Sequence, residues 1–284
     1  MRIVLIIIIL IFPQGLIRLR AQVSQGELKV TCISNSGFLL TSHNHKVLID
    51  ALFSYGATSL KEITTGIVED KPPFDSVNIF LLSHYHADHC DPQMVNLYLS
   101  KHPDLSFVAS KPAISFINGV CYDFILLKKQ FCELTPEVNR SVAATVKGIT
   151  VKAFGLKHNA YYRNGIDMNE SMLNVSFLFE MDGISIFHSG DIKTDALQGY
   201  LAYNSKWTDR IDVALLCYGL FESDEKDLDL VVSTLHPKYI VVMHVPSENI
   251  KTCEAKIENL KNTFPDIVFL KNRMESRTLT IKDI

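Results

Sequence analysis

Six consecutive residues, His84-Tyr85-His86-Ala87-Asp88-His89, put three imidazoles and a carboxylate inside one short segment. Crowded imidazoles would each need a separate hydrogen-bond partner, whereas a divalent cation satisfies ring nitrogen and carboxylate oxygen together. These residue types at this spacing therefore point to a metal site. One segment cannot close two coordination spheres, so further ligands are expected downstream. Three ligand-type residues stand at strand exits: His158, Asp191 and His244.

The elements that must position them are legible as apolar runs. Residues 77–82 are bulky and apolar at nearly every position, which reads as a strand buried on both faces and a rigid support for the ligands at its exit. His158 follows the alternating run Ile149–Lys157, and Asp191 ends the run 184–190, where a strand meets a turn containing Gly190. His244 ends the apolar run Tyr239–Met243. Polar residues commonly mark strand ends, so none of the three carries weight alone. Beside the first segment they form a set. Asp50, which closes the run Lys46–Ile49, is read either as a strand-end cap or as a partner orienting a ligand histidine.

The pattern His-x-His-x-Asp-His, followed in order by a His, an Asp and a final His, resembles the hallmark of the metallo-β-lactamase superfamily, over roughly residues 28–280. The resemblance implies an α/β (α+β) fold, a four-layer αββα sandwich with the site at the edge between two sheets. It implies that His84, His86 and His158 hold one ion and that Asp88, His89 and His244 hold a second, with Asp191 bridging. The cofactor expected is two divalent metal ions, zinc before manganese or iron. The attacking group expected is a water or hydroxide between the ions, and Asp88 is the side chain given a catalytic role.

At the bridging position stands Asp191 and not Cys, which points away from true β-lactamases and toward glyoxalase II, lactonases, phosphodiesterases and RNA-processing nucleases. The stretches Ser36-Gly37-Phe38-Leu39-Leu40, Lys46-Val47-Leu48-Ile49-Asp50 and 235–244 are similar to the branch containing the ascorbate-phosphate lactonase and the N-acyl-phosphatidylethanolamine phospholipase D. The function expected is a metal-dependent hydrolase acting on an ester, lactone, thioester or amide. Two alternatives stay open: a phosphodiester or phosphoester hydrolase, and a noncatalytic metal-binding or sensing protein of the same fold.

Composition sets outer bounds. The chain has 284 residues, 47% of them hydrophobic, which is ample for the core of one domain over residues 23–284. With 28 basic against 31 acidic side chains its formal charge is −3, so no basic field invites nucleic acid, and a small-molecule or lipid-like substrate is expected. Met1-Arg2 and the apolar run from Ile3 to Phe12 resemble a secretory signal peptide over residues 1–22, implying a periplasmic or secreted protein. Arg18 and Arg20 leave an uncleaved anchor over residues 3–19 as the rival, and only that segment would associate with a membrane. The six cysteines show no zinc-knuckle or disulfide-scaffold spacing, and Cys32, Cys90 and Cys217 read as packing residues.

Elsewhere the spacing predicts helices over 91–101, 111–118, 194–201, 224–235 and 249–262, among strands that dominate from 142 onward. Residues 119–136 take no clear assignment. The polar, aromatic loop 159–171, with Tyr161, Tyr162 and Arg163, begins beside His158 and is a candidate for substrate contacts. Tyr218 and Phe221 are pocket candidates by position. His43 and His45 read as exposed imidazoles of a turn.

Overall fold

The computed structural model describes residues 25–53, 59–120, 124–193, 195–204, 207–222, 225–264 and 266–282. The expected signal or anchor segment and Cys121 lie outside them. Strands β1 (Gln25–Ser34), β2 (Gly37–Thr41), β3 (Lys46–Ile49), β4 (Ile79–Leu82), β5 (Ser106–Ala109) and β6 (Phe131–Glu133) lie side by side in one sheet. The second sheet holds β7 (Ser141–Val146), β8 (Ile149–Lys157), β11 (Leu173–Met181), β12 (Ile184–His188), β13 (Val213–Cys217), β14 (Tyr239–Met243) and β15 (Ile267–Phe269), while β9 (Tyr162–Arg163) and β10 (Ile166–Asp167) form a separate hairpin. The last strand, β16 (Ser276–Lys282), returns to the first sheet and pairs antiparallel with β1.

Alternate residues of the first sheet face two different cores, and this is why its strands read as unbroken apolar runs. Leu39, Leu48, Phe80 and Phe107 pack with residues of α1 (Ser59–Val68), α2 (Pro92–Lys101) and α3 (Lys111–Asn118). Their neighbours Leu40, Val47, Leu81 and Val108 join the second sheet's Val151, Ala153, Phe177 and Ile186 in the larger core. Beyond α4 (Phe124–Leu127), α5 (Ala196–Asn204), α6 (Gly219–Glu222), α7 (Glu225–Leu235) and α8 (Ile250–Leu260) bury Leu197, Phe221, Val231 and Ile257 against the second sheet. The result is the αββα layering expected.

Strand direction gathers the expected ligands. β12, β13 and β14 run parallel, and β8 shares their direction because both β8 and β12 are antiparallel to β11. The C-terminal ends that lead into His158, Asp191 and His244 therefore open at one edge. The end of β4 is tied there by a backbone bond from Val175 N–H to Ser83 O, 3.1 Å.

Several expectations shift. The strand read over 77–82 begins at Ile79, and residues 119–136 hold α4, a 3₁₀ turn at Lys128–Gln130 and β6. Loop 159–171 contains the β9–β10 hairpin, whose turn residues Asn164 and Gly165 take φ of 51° and 77°, the left-handed pair a tight two-residue turn requires. Tyr218 and Phe221 are nearly enclosed, 2% and 1% exposed, and both belong to the larger core cluster. Cys32, Cys90, Cys217 and Cys253 are buried free thiols; burial pushes Cys32 and Cys217 up to about 12 and so leaves them protonated. Among the described residues no helix is long and apolar enough to cross a membrane.

Candidate metal centre

All seven expected ligands converge, and they form overlapping groups. Ligand atoms of His84, His86 and His158 lie within 4.8 Å of one another, as do those of Asp88, His89 and His244, and those of His84, His89 and Asp191. In the first group His84 Nε2 is 3.0 Å from His86 Nδ1 and 3.2 Å from His158 Nε2. In the second, His244 Nε2 is 3.0 Å from Asp88 Oδ2. Asp191 stands between them, its Oδ2 3.0 Å from His244 Nε2, 3.4 Å from His89 Nε2 and 3.9 Å from His158 Nε2.

The rear nitrogen of three rings is held by protein, which leaves the front nitrogen for the centre. His158 Nδ1 donates to Asn159 O at 2.7 Å, His84 Nδ1 meets Ser83 Oγ at 3.0 Å, and His89 Nδ1 meets Asp50 Oδ2 at 2.9 Å. Asp50 also accepts the Ser83 N–H on Oδ1 at 2.8 Å and the Ser83 hydroxyl on Oδ2. It thus both ends its strand and orients a ligand. Asp191 is placed through its main chain: Asn174 Oδ1 accepts the Asp191 N–H at 3.0 Å, and Asn174 Nδ2 donates to Ser189 O at 3.1 Å. Gly190 makes that approach possible, since at φ 58° a Cβ there would lie 2.2 Å from Asn174 Oδ1.

Charge divides the cluster. Burial, reinforced by the neighbouring rings, holds His84 well below the usual imidazole range, and burial lowers His86 and His158 too, which favours the neutral form in this group. Burial also opposes charge on His89 and His244. There Asp191 outweighs it, helped by Asp50 at His89 and by Asp88 at His244: His89 is held well above its ordinary value and His244 is raised to about 9. The same pairing overcomes burial at the carboxylates, holding Asp88 at about 2 and Asp191 well below its ordinary value. The carboxylates thus favour the charged form of His89 and His244, and these imidazoles favour the ionised form of the carboxylates.

The residues fit a metal on a separate ground. His89 Nε2 and Asp191 Oδ1 are buried without a hydrogen-bond partner; the 3.4 Å approach of Asp191 Oδ2 to His89 Nε2 is an ion-pair contact, not an aligned bond. Orphaned buried polar atoms are costly, and a cation ligated by both removes the cost.

Three positioning residues escape sequence reasoning. Asn35 reads only as a turn residue, and Asn174 carries no local signal. Ser83, wedged between the strand and His84, could have been suspected from its place alone.

Fold and cluster together define a metallo-β-lactamase-fold protein, and the chain belongs to the beta-lactamase superfamily, whose domain profile matches residues 29–244. Among curated proteins no sequence match is found. Solved structures share the fold. Igni18, a metallo hydrolase from the archaeon Ignicoccus hospitalis, aligns with a TM-score of 0.58 at 16% identity over 89% of this chain and 98% of its own. An isothiocyanate hydrolase from Delia radicum gut bacteria gives 0.57 at 15% over 89% and 100%. CmlA, a diiron β-hydroxylase from Streptomyces venezuelae, gives 0.56 at 12% over 89% of this chain and 54% of its own. At such identities the likeness is one of fold.

Proposed function

We propose that the protein is a metal-dependent hydrolase that uses two divalent cations, zinc in first place, to cleave an ester, lactone, thioester or amide. The observation that carries this reading is the pair of ligand groups, His84/His86/His158 and Asp88/His89/His244, with Asp191 within 4 Å of both. When bound, the cations would supply a lowered water pKa and an electrophile for the substrate oxygen. The side chains would do the rest. Asp88 is the more open carboxylate, 34% exposed against 10% for Asp191, and at about 2 it is ionised at neutral pH. An ionised, partly open carboxylate would be available there to orient an attacking water. Asp191, nearly enclosed, holds the two groups together.

The β9–β10 hairpin supports a small organic or lipid-like substrate. It exposes Tyr161, Tyr162, Ile166 and Met168 and is tied to the site through Asn159 O, which accepts from both His158 Nδ1 and Asn169 Nδ2. Exposed apolar side chains beside a cleft mark ligand contacts. Residues 1–22 support export, with anchoring by residues 3–19 as its rival; the N-terminus of secreted protein distinguishes them.

Metal analysis and a substrate panel test the reading. Purified protein should hold about two equivalents of metal and turn over lactones, esters or thioesters. Less than one equivalent sinks the dinuclear site, and turnover of bis-p-nitrophenyl phosphate alone transfers the activity to phosphodiesters.

A further inference from the structure

The β1–β2 turn spans the gap between the sheets. At its tip the Asn35 carbonyl accepts the main-chain N–H of His244 at 3.2 Å, and the Ser36 carbonyl accepts from His188 Nε2 at 3.3 Å, so a turn of the first sheet grips two strand ends of the second. The Asn35 side chain faces the metal cluster: Nδ2 donates to Asp88 Oδ2 at 3.1 Å and approaches Asp88 O at 3.4 Å. Asp88 Oδ2 is itself 3.0 Å from His244 Nε2. Asn35, Asp88 and His244 therefore close a ring in which one residue holds the carboxylate of one ligand and the backbone of another. His84 and His158, by contrast, are braced from behind by Ser83 and Asn159.

We infer that Asn35 is a positioning residue that serves one cation position only, setting how tightly Asp88, His89 and His244 hold their ion while leaving His84, His86 and His158 unaffected. The inference rests on the dinuclear reading above. An amide donating to one carboxylate oxygen fixes rotation of the group about its bond to Cβ, so the ion meets Asp88 already oriented. The backbone bond does the same for His244, whose φ of 57° is one a side-chain-bearing residue seldom adopts unsupported. Asn suits both tasks, because its own φ is 51° and Asn tolerates that region while supplying the donor.

The test separates backbone from amide. Asn35→Gly keeps the left-handed turn and deletes the donor; Asn35→Asp keeps shape and turn preference but sets an acceptor against the Asp88 carboxylate. Metal-free wild type and both variants are titrated with zinc against a chromophoric chelator, a readout that needs no activity. Wild type should take two equivalents. Both variants should bind the first within about twofold of wild type and the second about 10- to 100-fold more weakly, the usual effect of removing a partner of a ligand. A second equivalent of wild-type affinity in either variant overturns the inference, and so does parallel weakening of both equivalents. Wild-type protein that takes a single equivalent overturns the dinuclear reading instead.

Discussion

His89 and Asp50 form an ion pair with 2.9 Å between Nδ1 and Oδ2, and neither side chain is exposed at all. Asp50 is bound by three groups at once, His89 and both donors of Ser83, so its charge is matched inside the fold before any metal arrives. Asp50→Asn keeps the shape and removes the charge. Zinc affinity should fall about 10- to 100-fold, as seen when the carboxylate behind a ligand histidine is lost. Chelator competition measures it, and an unchanged affinity would leave Asp50 a strand-end cap alone.

Asp191 and His86 should fail differently. Asp191 stands within 4 Å of His158, His89 and His244, whereas His86 belongs to one group alone. Asp191→Ala should abolish turnover and reduce the content of both ions; His86→Ala should reduce one. Elemental analysis of the purified variants decides, and full occupancy in Asp191→Ala removes that residue as the bridge.

The raised imidazole at His244 gives the metal-free protein a pH signature. Its folded pKa, about 9, lies above the unfolded value near ~6.5, so its contribution to stability is complete below that value and is lost as pH rises through about 9. Zinc must displace this proton, so binding should release protons and tighten as pH rises toward about 9. Denaturation of metal-free protein at pH 6 and pH 9, with calorimetric zinc titrations in buffers of different ionisation enthalpy, checks both signs. Proton-independent uptake would contradict them.

Gly190→Ala should be among the most damaging one-methyl changes available. The added Cβ would meet Asn174 Oδ1 at 2.2 Å in a backbone held at φ 58°. Strain at such a position costs about 1–3 kcal/mol, and relieving the clash displaces the hydrogen bond that sets Asp191. The urea midpoint should fall together with metal content. A variant that melts like wild type would show that Asn174 can swing aside freely.

Tyr162→Ala tests the hairpin. The side chain is 68% exposed, so stability should change by no more than about 0.5 kcal/mol and metal content should hold. KM for substrates with an apolar arm should rise while that for small ones stays. Equal KM values across the panel would remove the hairpin from recognition.

The candidate ligands are legible in sequence because their chemistry is rare and their supports, β4, β8 and β14, are apolar runs. Asn35 and Asn174 are not, since each acts only on strand ends that the chain folds against it, and no local pattern records that meeting. The burial of Tyr218 and Phe221 is hidden for the same reason: they follow a strand exit as the candidate ligands do, and only the fold encloses them. Strand β16 goes unread because only Leu279 and Ile281 point inward from a polar stretch, as suits a strand at the edge of a sheet.

That returning strand sets an order on assembly during synthesis. β1 emerges among the first described residues but its outer partner spans Ser276–Lys282, after every one of the seven candidate ligands. Contacts so distant in the chain form late. Until that last segment is made, β1 keeps an open edge, the kind of unpaired strand that another chain can pair with.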